Sequence, residues 1–64
     1  MASTPDKLQR RRAGRIQILE FTKENGGGLP ASLEHMVDKI ASNERMKWID
    51  ARDLLIMRLK MGIE

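Results

Sequence analysis

The 64-residue chain has no cysteine, so neither a disulfide nor a thiolate metal site can brace it. A single histidine, His35, leaves an all-carboxylate site as the only metal chemistry within reach, and no cofactor is expected. Aromatic residues are reduced to Phe21 and Trp48. No apolar run approaches the roughly 20 residues that a membrane span needs. The opening MASTPDKLQRRR lacks the apolar stretch of a secretory signal. The expectation is a cytoplasmic protein that does not touch a membrane. A chain this short buries only about 60% of the surface it exposes when unfolded. Scaffolds of this size lean on disulfides, a metal or a partner, and here a partner chain remains.

What the chain does contain is helix-forming. Leu, Met, Lys, Arg and Glu dominate its apolar and charged positions, which points to an all-α fold. In STPDK, Thr4 or Ser3 can cap, Pro5 suits the first helical position, and Asp6 favours the positive end of the dipole. The Asn25-Gly26 step followed by further glycines ends that helix. Gly14 costs about 1 kcal/mol relative to Ala inside a helix. The single domain over 1–64 is therefore expected to divide into a basic, frayed arm (1–14) and a helical core (15–62). RIQILEF also reads as a short strand, since Ile16 and Ile18 alternate with Arg15 and Gln17. The caps on both sides favour helix.

Pro30 opens a second helix, in which Leu33, Met36, Val37, Ile40 and Ala41 keep the i, i+3, i+4, i+7 spacing. Ser42 and Asn43 are expected to break or bend it. A third helix starts either at Asn43 as its cap or at Asp50 in DARD, and Gly62 is its stop. Leu55, Met57, Leu59, Met61 and Ile63 alternate as a strand would, but Leu, Met, Lys and Arg prefer helix. The expected elements span 5–25, 30–42 and 46–61.

The third helix carries more apolar surface than two short companions can cover. At about 100° per residue, Trp48, Leu55 and Leu59 form one stripe, and Leu54, Met57 and Met61 form another roughly 150° away. Ile49 and Ile56 lie on a third side. Leu54, Ile56, Met57 and Met61 are therefore expected to meet another chain, most simply a second copy in a homodimer. The alternatives are a compact monomer whose Met residues tolerate imperfect packing, and a longer chain whose further part covers the stripe.

Charge is sorted along the sequence. Residues 1–15 carry Lys7, Arg10, Arg11, Arg12 and Arg15 against Asp6 alone, whereas residues 16–44 hold two cations against five carboxylates. Residues 45–60 carry Arg45, Lys47, Arg52, Arg58 and Lys60 against Asp50 and Asp53. Such cation clusters suit the phosphates of nucleic acid, bound with release of counterions. The plain alternative is a solvated arm that keeps a small protein in solution.

The second basic stretch lies in MVDKIASNERMKWIDARDLLIMRLKMG, which resembles the helix-turn-helix core of small winged-helix and related DNA-binding proteins. Ile40 and Ala41 stand where that pattern ends its supporting helix, and Ser42 to Arg45 where it turns. The resemblance implies a last helix that docks on DNA, with Lys47, Arg52 and Arg58 as contacts. Lys7, Arg10, Arg11, Arg12 and Arg15 would then serve as a flanking arm. DNA is favoured over RNA, in a regulatory role.

Catalysis has little to stand on. Ser32, His35 and Asp38 recur three residues apart on one helix, but they point outward, with no pocket wall and nothing to hold an oxyanion. ENGGGLP lacks the GK[ST] ending of a phosphate loop. The chain is read as a non-enzyme without a small-molecule substrate. The competing reading is an interaction module (adaptor, inhibitor or small subunit) that binds a partner through its apolar third helix.

Overall fold

The computed structural model describes residues 5–64, with side chains from Lys7 onward. Three helices follow in order: α1 (Pro5–Asn25), α2 (Ala31–Glu44) and α3 (Trp48–Met61). Among the described residues there is no strand, so the alternating runs at Ile16–Ile18 and Leu55–Ile63 are not extended. The fold is all-α.

α1 begins with Pro5 in its first turn, where a missing N–H costs no helical bond. The caps expected from Ser3 and Thr4 lie outside the described residues. Gly26 stops the helix at φ 80°, its N–H bonded to the Thr22 carbonyl at 2.8 Å, and Gly27 follows at φ 99°. Both angles fall in the left-handed region that a side chain disfavours. Residues 5–14, read from the sequence as a basic arm, are the first half of α1, as the expected span of 5–25 has them. Gly14 sits in open space, so it costs helix propensity but no packing. A contact far along the chain, described below, holds that half in place.

α2 starts with Pro30 at its N-cap (φ −54°, ψ 148°). It does not break at Ser42–Asn43, and continues two residues past its expected end. Both residues face solvent there, so neither leaves a buried polar group to satisfy. The helix stops where Arg45 turns left-handed (φ 54°, ψ 50°) and the Met46 N–H reaches the Ala41 carbonyl at 3.0 Å. A glycine usually takes this position, because a Cβ costs roughly 1–2 kcal/mol in it. α3 then begins at Trp48, with extended Lys47 as an N-cap that makes no side-chain bond. Neither Asn43 nor Asp50 caps it; Asp50 lies inside the first turn, near the positive end of the dipole. Gly62 ends α3 as expected, at φ 79°. Its N–H bonds the Leu59 carbonyl at 3.1 Å, and the Ile63 N–H bonds that of Arg58 at 2.9 Å. This reciprocal pair satisfies two of the last orphan carbonyls.

α3 is the centre of the fold, packing against both α1 and α2. The core joins Leu19 of α1, Leu33, Val37 and Ile40 of α2, and Ala51, Leu55, Ile56 and Leu59 of α3. Each large side chain buried there stabilises the fold by about 1.5–3 kcal/mol relative to exposure. Trp48 packs on the rim of this cluster, as its alignment with Leu55 and Leu59 requires. Thr22 is buried without penalty because its hydroxyl donates to the Ile18 carbonyl at 2.9 Å. α1 runs antiparallel to α3. Arg12 lies at Gly62, Lys60 Nζ is 2.8 Å from Glu20 Oε2, and Lys23 Nζ is 3.4 Å from Asp53 Oδ1.

Candidate nucleic-acid interface

The first half of α1 displays cations over a broad arc of its surface. Lys7, Arg10 and Arg11 are exposed, and Arg15 is half-buried. At about 100° per residue these four side chains fan over roughly 140° of the helix. No ion pair joins them to any carboxylate from Glu20 onward. Their charges are thus brought close together on one helix.

Arg12 is different from its neighbours. Its Nη2 donates to the Gly62 carbonyl oxygen at 3.1 Å, so a guanidinium sits at the negative end of the α3 dipole. A shallow groove between the two helices, lined by Gln9, Arg12, Ala13, Ile16, Leu59 and Gly62, surrounds the contact. Arg12 is therefore a structural clasp first, and a phosphate ligand only if it lets go.

The cations of α3 also separate. Arg52 is buried, with 9% of its surface exposed, and its guanidinium carbon stands 5.7 Å from the Trp48 ring centroid. Its Nη2 lies 3.5 Å from Asp53 Oδ1, and its Nε is buried without a hydrogen-bond partner. The DNA contact expected of Arg52 is not available from this position, because α1 and α2 enclose the face of α3 that bears it. Arg58 is held at 3.7 Å from Glu44 Oε2 and 3.6 Å from Glu64 Oε2. Lys47 stays exposed in the turn, beside Arg45. Sequence reasoning did not single out Arg45 as a site residue. The signal was the absence of glycine after α2, which forces a charged residue into the left-handed position and thrusts its side chain outward.

The apolar residues divide in the same way. Met57 and Met61 are 50% and 65% exposed, and Leu54 is partly buried against the core. Ile56 is 6% exposed and belongs to the core, so it cannot meet another chain. The buried residues of α3, from Ala51 to Leu59, span an arc of about 140°, and Ile56 lies at its edge, towards α1. Exposed Phe21 and Ile18 on the far side of α1, and Ile49 at the start of α3, were not anticipated as surface residues. Ser32, His35 and Asp38 all lie exposed on α2. Among the described residues, no three His, Asp or Glu side chains gather as metal ligands would, and no helix is long and apolar enough to cross a membrane. No family model, curated protein or solved structure matches this chain.

Proposed function

We propose that this protein binds nucleic acid, DNA before RNA, through the phosphate backbone, with the first half of α1 as the anchoring element. The observation that carries this reading is the set Lys7, Arg10, Arg11 and Arg15, presented on a helix without carboxylate partners from Glu20 onward. Guanidinium forks suit phosphate oxygens, and a helix fixes their spacing at no further entropic cost. Arg45 and Lys47 form a second, smaller patch in the three-residue turn between α2 and α3. α1 runs antiparallel to α3, so the two patches lie near opposite ends of that helix, about 20 Å apart. The order helix, short turn, helix agrees with the helix-turn-helix resemblance. The outward residues at the start of α3 are Ile49 and Asp50, which favour anchoring on α1 over groove insertion by α3.

Four phosphate contacts give a slope near −3.6 in log affinity against log salt. Duplex binding should then weaken by about 150-fold between about 50 and 200 mM salt. Titration of the whole chain against labelled duplex measures this directly. No binding at the lower salt would defeat the proposal.

Exposed Met57 and Met61, in line with half-buried Leu54, favour a companion reading, in which the outer face of α3 contacts another protein chain.

A further inference from the structure

On the reading that the outer face of α3 is a protein contact, we infer that its occupant is a second copy of the chain, docked antiparallel across a two-fold axis between Leu54 and Met57. The face itself suggests the register. Leu54, Met57 and Met61 fall within about 60° of one another around α3, and Asp50 continues their line towards the N-terminus. An antiparallel contact centred between residues 55 and 56 sets Leu54 against Met57 of the second copy, and by symmetry Met57 against its Leu54.

Charge selects this arrangement. Asp53 and Lys60 lie on the same flank of the line, on either side of its midpoint, and like flanks meet when helices pair antiparallel. Each is already half of an ion pair with α1: Asp53 with Lys23 at 3.4 Å, and Lys60 with Glu20 at 2.8 Å. Across the two-fold these pairs join into a row of alternating sign: Lys23 and Asp53 of one chain, then Lys60 and Glu20 of the other. The symmetry repeats the row at the opposite end. A parallel contact would instead set Asp50 against its own copy, and would align the two helix dipoles. The acidic start and basic end of α3 are thus complementary to themselves only when reversed.

One 14-residue helix face is a small contact, below the roughly 800 Å² per partner of a stable interface. The dimer should therefore be weak, with a dissociation constant on the order of 0.01–1 mM. Sedimentation of the whole chain from about 10 µM to 1 mM, the span of that estimate, should carry its mass from 7.3 kDa towards twice that value. Met57→Glu should stay monomeric with unchanged helicity, because Met57 is half exposed and lies outside the core. The absence of cysteine permits a clean test of direction. In the antiparallel register, residues 57 of the two copies are offset by about 4.5 Å along the axis, and residues 61 by about 16 Å. Met57→Cys should cross-link on oxidation and Met61→Cys should not. A monomeric wild type throughout the range, association that survives Met57→Glu, or cross-linking at Met61→Cys would each overturn the inference. None of these outcomes touches the salt titration, which is read at concentrations where the chain is monomeric.

Discussion

Arg11 and Arg12 are adjacent and chemically identical, yet the fold gives them different work, so substituting each by Ala separates structure from binding. Arg12 donates to the Gly62 carbonyl at 3.1 Å, where α3 ends in two further backbone bonds. A hydrogen bond from a charged donor contributes about 1.5–3 kcal/mol when well buried, and this one is solvent-accessible, so its share is smaller. The interaction with the helix end contributes about 0.3–1 kcal/mol. A net loss of about 1 kcal/mol is expected for Arg12→Ala, which lowers Tm by roughly 4–8 °C in a domain of this size. Arg11 is exposed and reaches no carboxylate from Glu20 onward, so Arg11→Ala should stay within about 0.5 kcal/mol of wild type. Any gain in helix propensity is common to both variants and cancels. Thermal unfolding followed by circular dichroism checks the difference. Salt titration against duplex should show the reverse order, with Arg11→Ala reducing the slope by about 0.9 and Arg12→Ala by less. Equal losses of stability, or a larger loss at Arg11, would refute the assignment of Arg12 as the clasp between α1 and α3.

Two further substitutions probe positions that the sequence left ambiguous. Arg45→Gly should stabilise the chain by up to about 1 kcal/mol, because it relieves the left-handed strain at φ 54° and forfeits only the greater freedom of glycine in the unfolded state. A midpoint that falls in a denaturant titration would show that the strain is not there. Arg52→Met keeps the volume beside Trp48 and removes a buried Nε that has no hydrogen-bond partner. It should leave stability unchanged or raised, and duplex affinity within about twofold, since this cation is enclosed; a tenfold loss of affinity would return Arg52 to the interface.

Local signals accounted for much of the fold. Pro5, Pro30 and Gly62 mark helix ends through backbone constraints that act wherever they stand, and the spacing of Leu33, Val37 and Ile40 allows α2 only one buried face. The remaining features depend on distant residues. Gly14 looked like a weak point because its cost is local, while Arg12 is fastened to Gly62, 50 residues further along the chain. Ser42 and Asn43 looked like a break because the true stop, Arg45, is a residue type that seldom takes the left-handed conformation. The wheel set Ile56 and Leu54 on different sides of α3 without telling which is buried, since that depends on the side from which α1 approaches. The burial of Arg52 needed the knowledge that Trp48, one turn earlier, would stand beside its guanidinium.

The outer face of α3 cannot serve two partners at once. A helix pushed into a major groove gives up that face to base edges and phosphates. An antiparallel α3 pair closes the same face around Leu54 and Met57. Asp50 sharpens the conflict, because a carboxylate about 4 Å from a phosphate repels it by about 1 kcal/mol even in water. Anchoring on Lys7, Arg10 and Arg11 carries no such conflict, since these residues stand on a different helix at the C-terminal end of α3. A Met57→Cys dimer locked by its disulfide should therefore still bind duplex, and its salt slope should steepen as two sets of α1 cations engage one ligand. If locking abolishes binding that the reduced monomer retains, the nucleic acid must be reaching the face of α3 instead, and the phosphate contacts would have to be sought at Lys47 and Arg45.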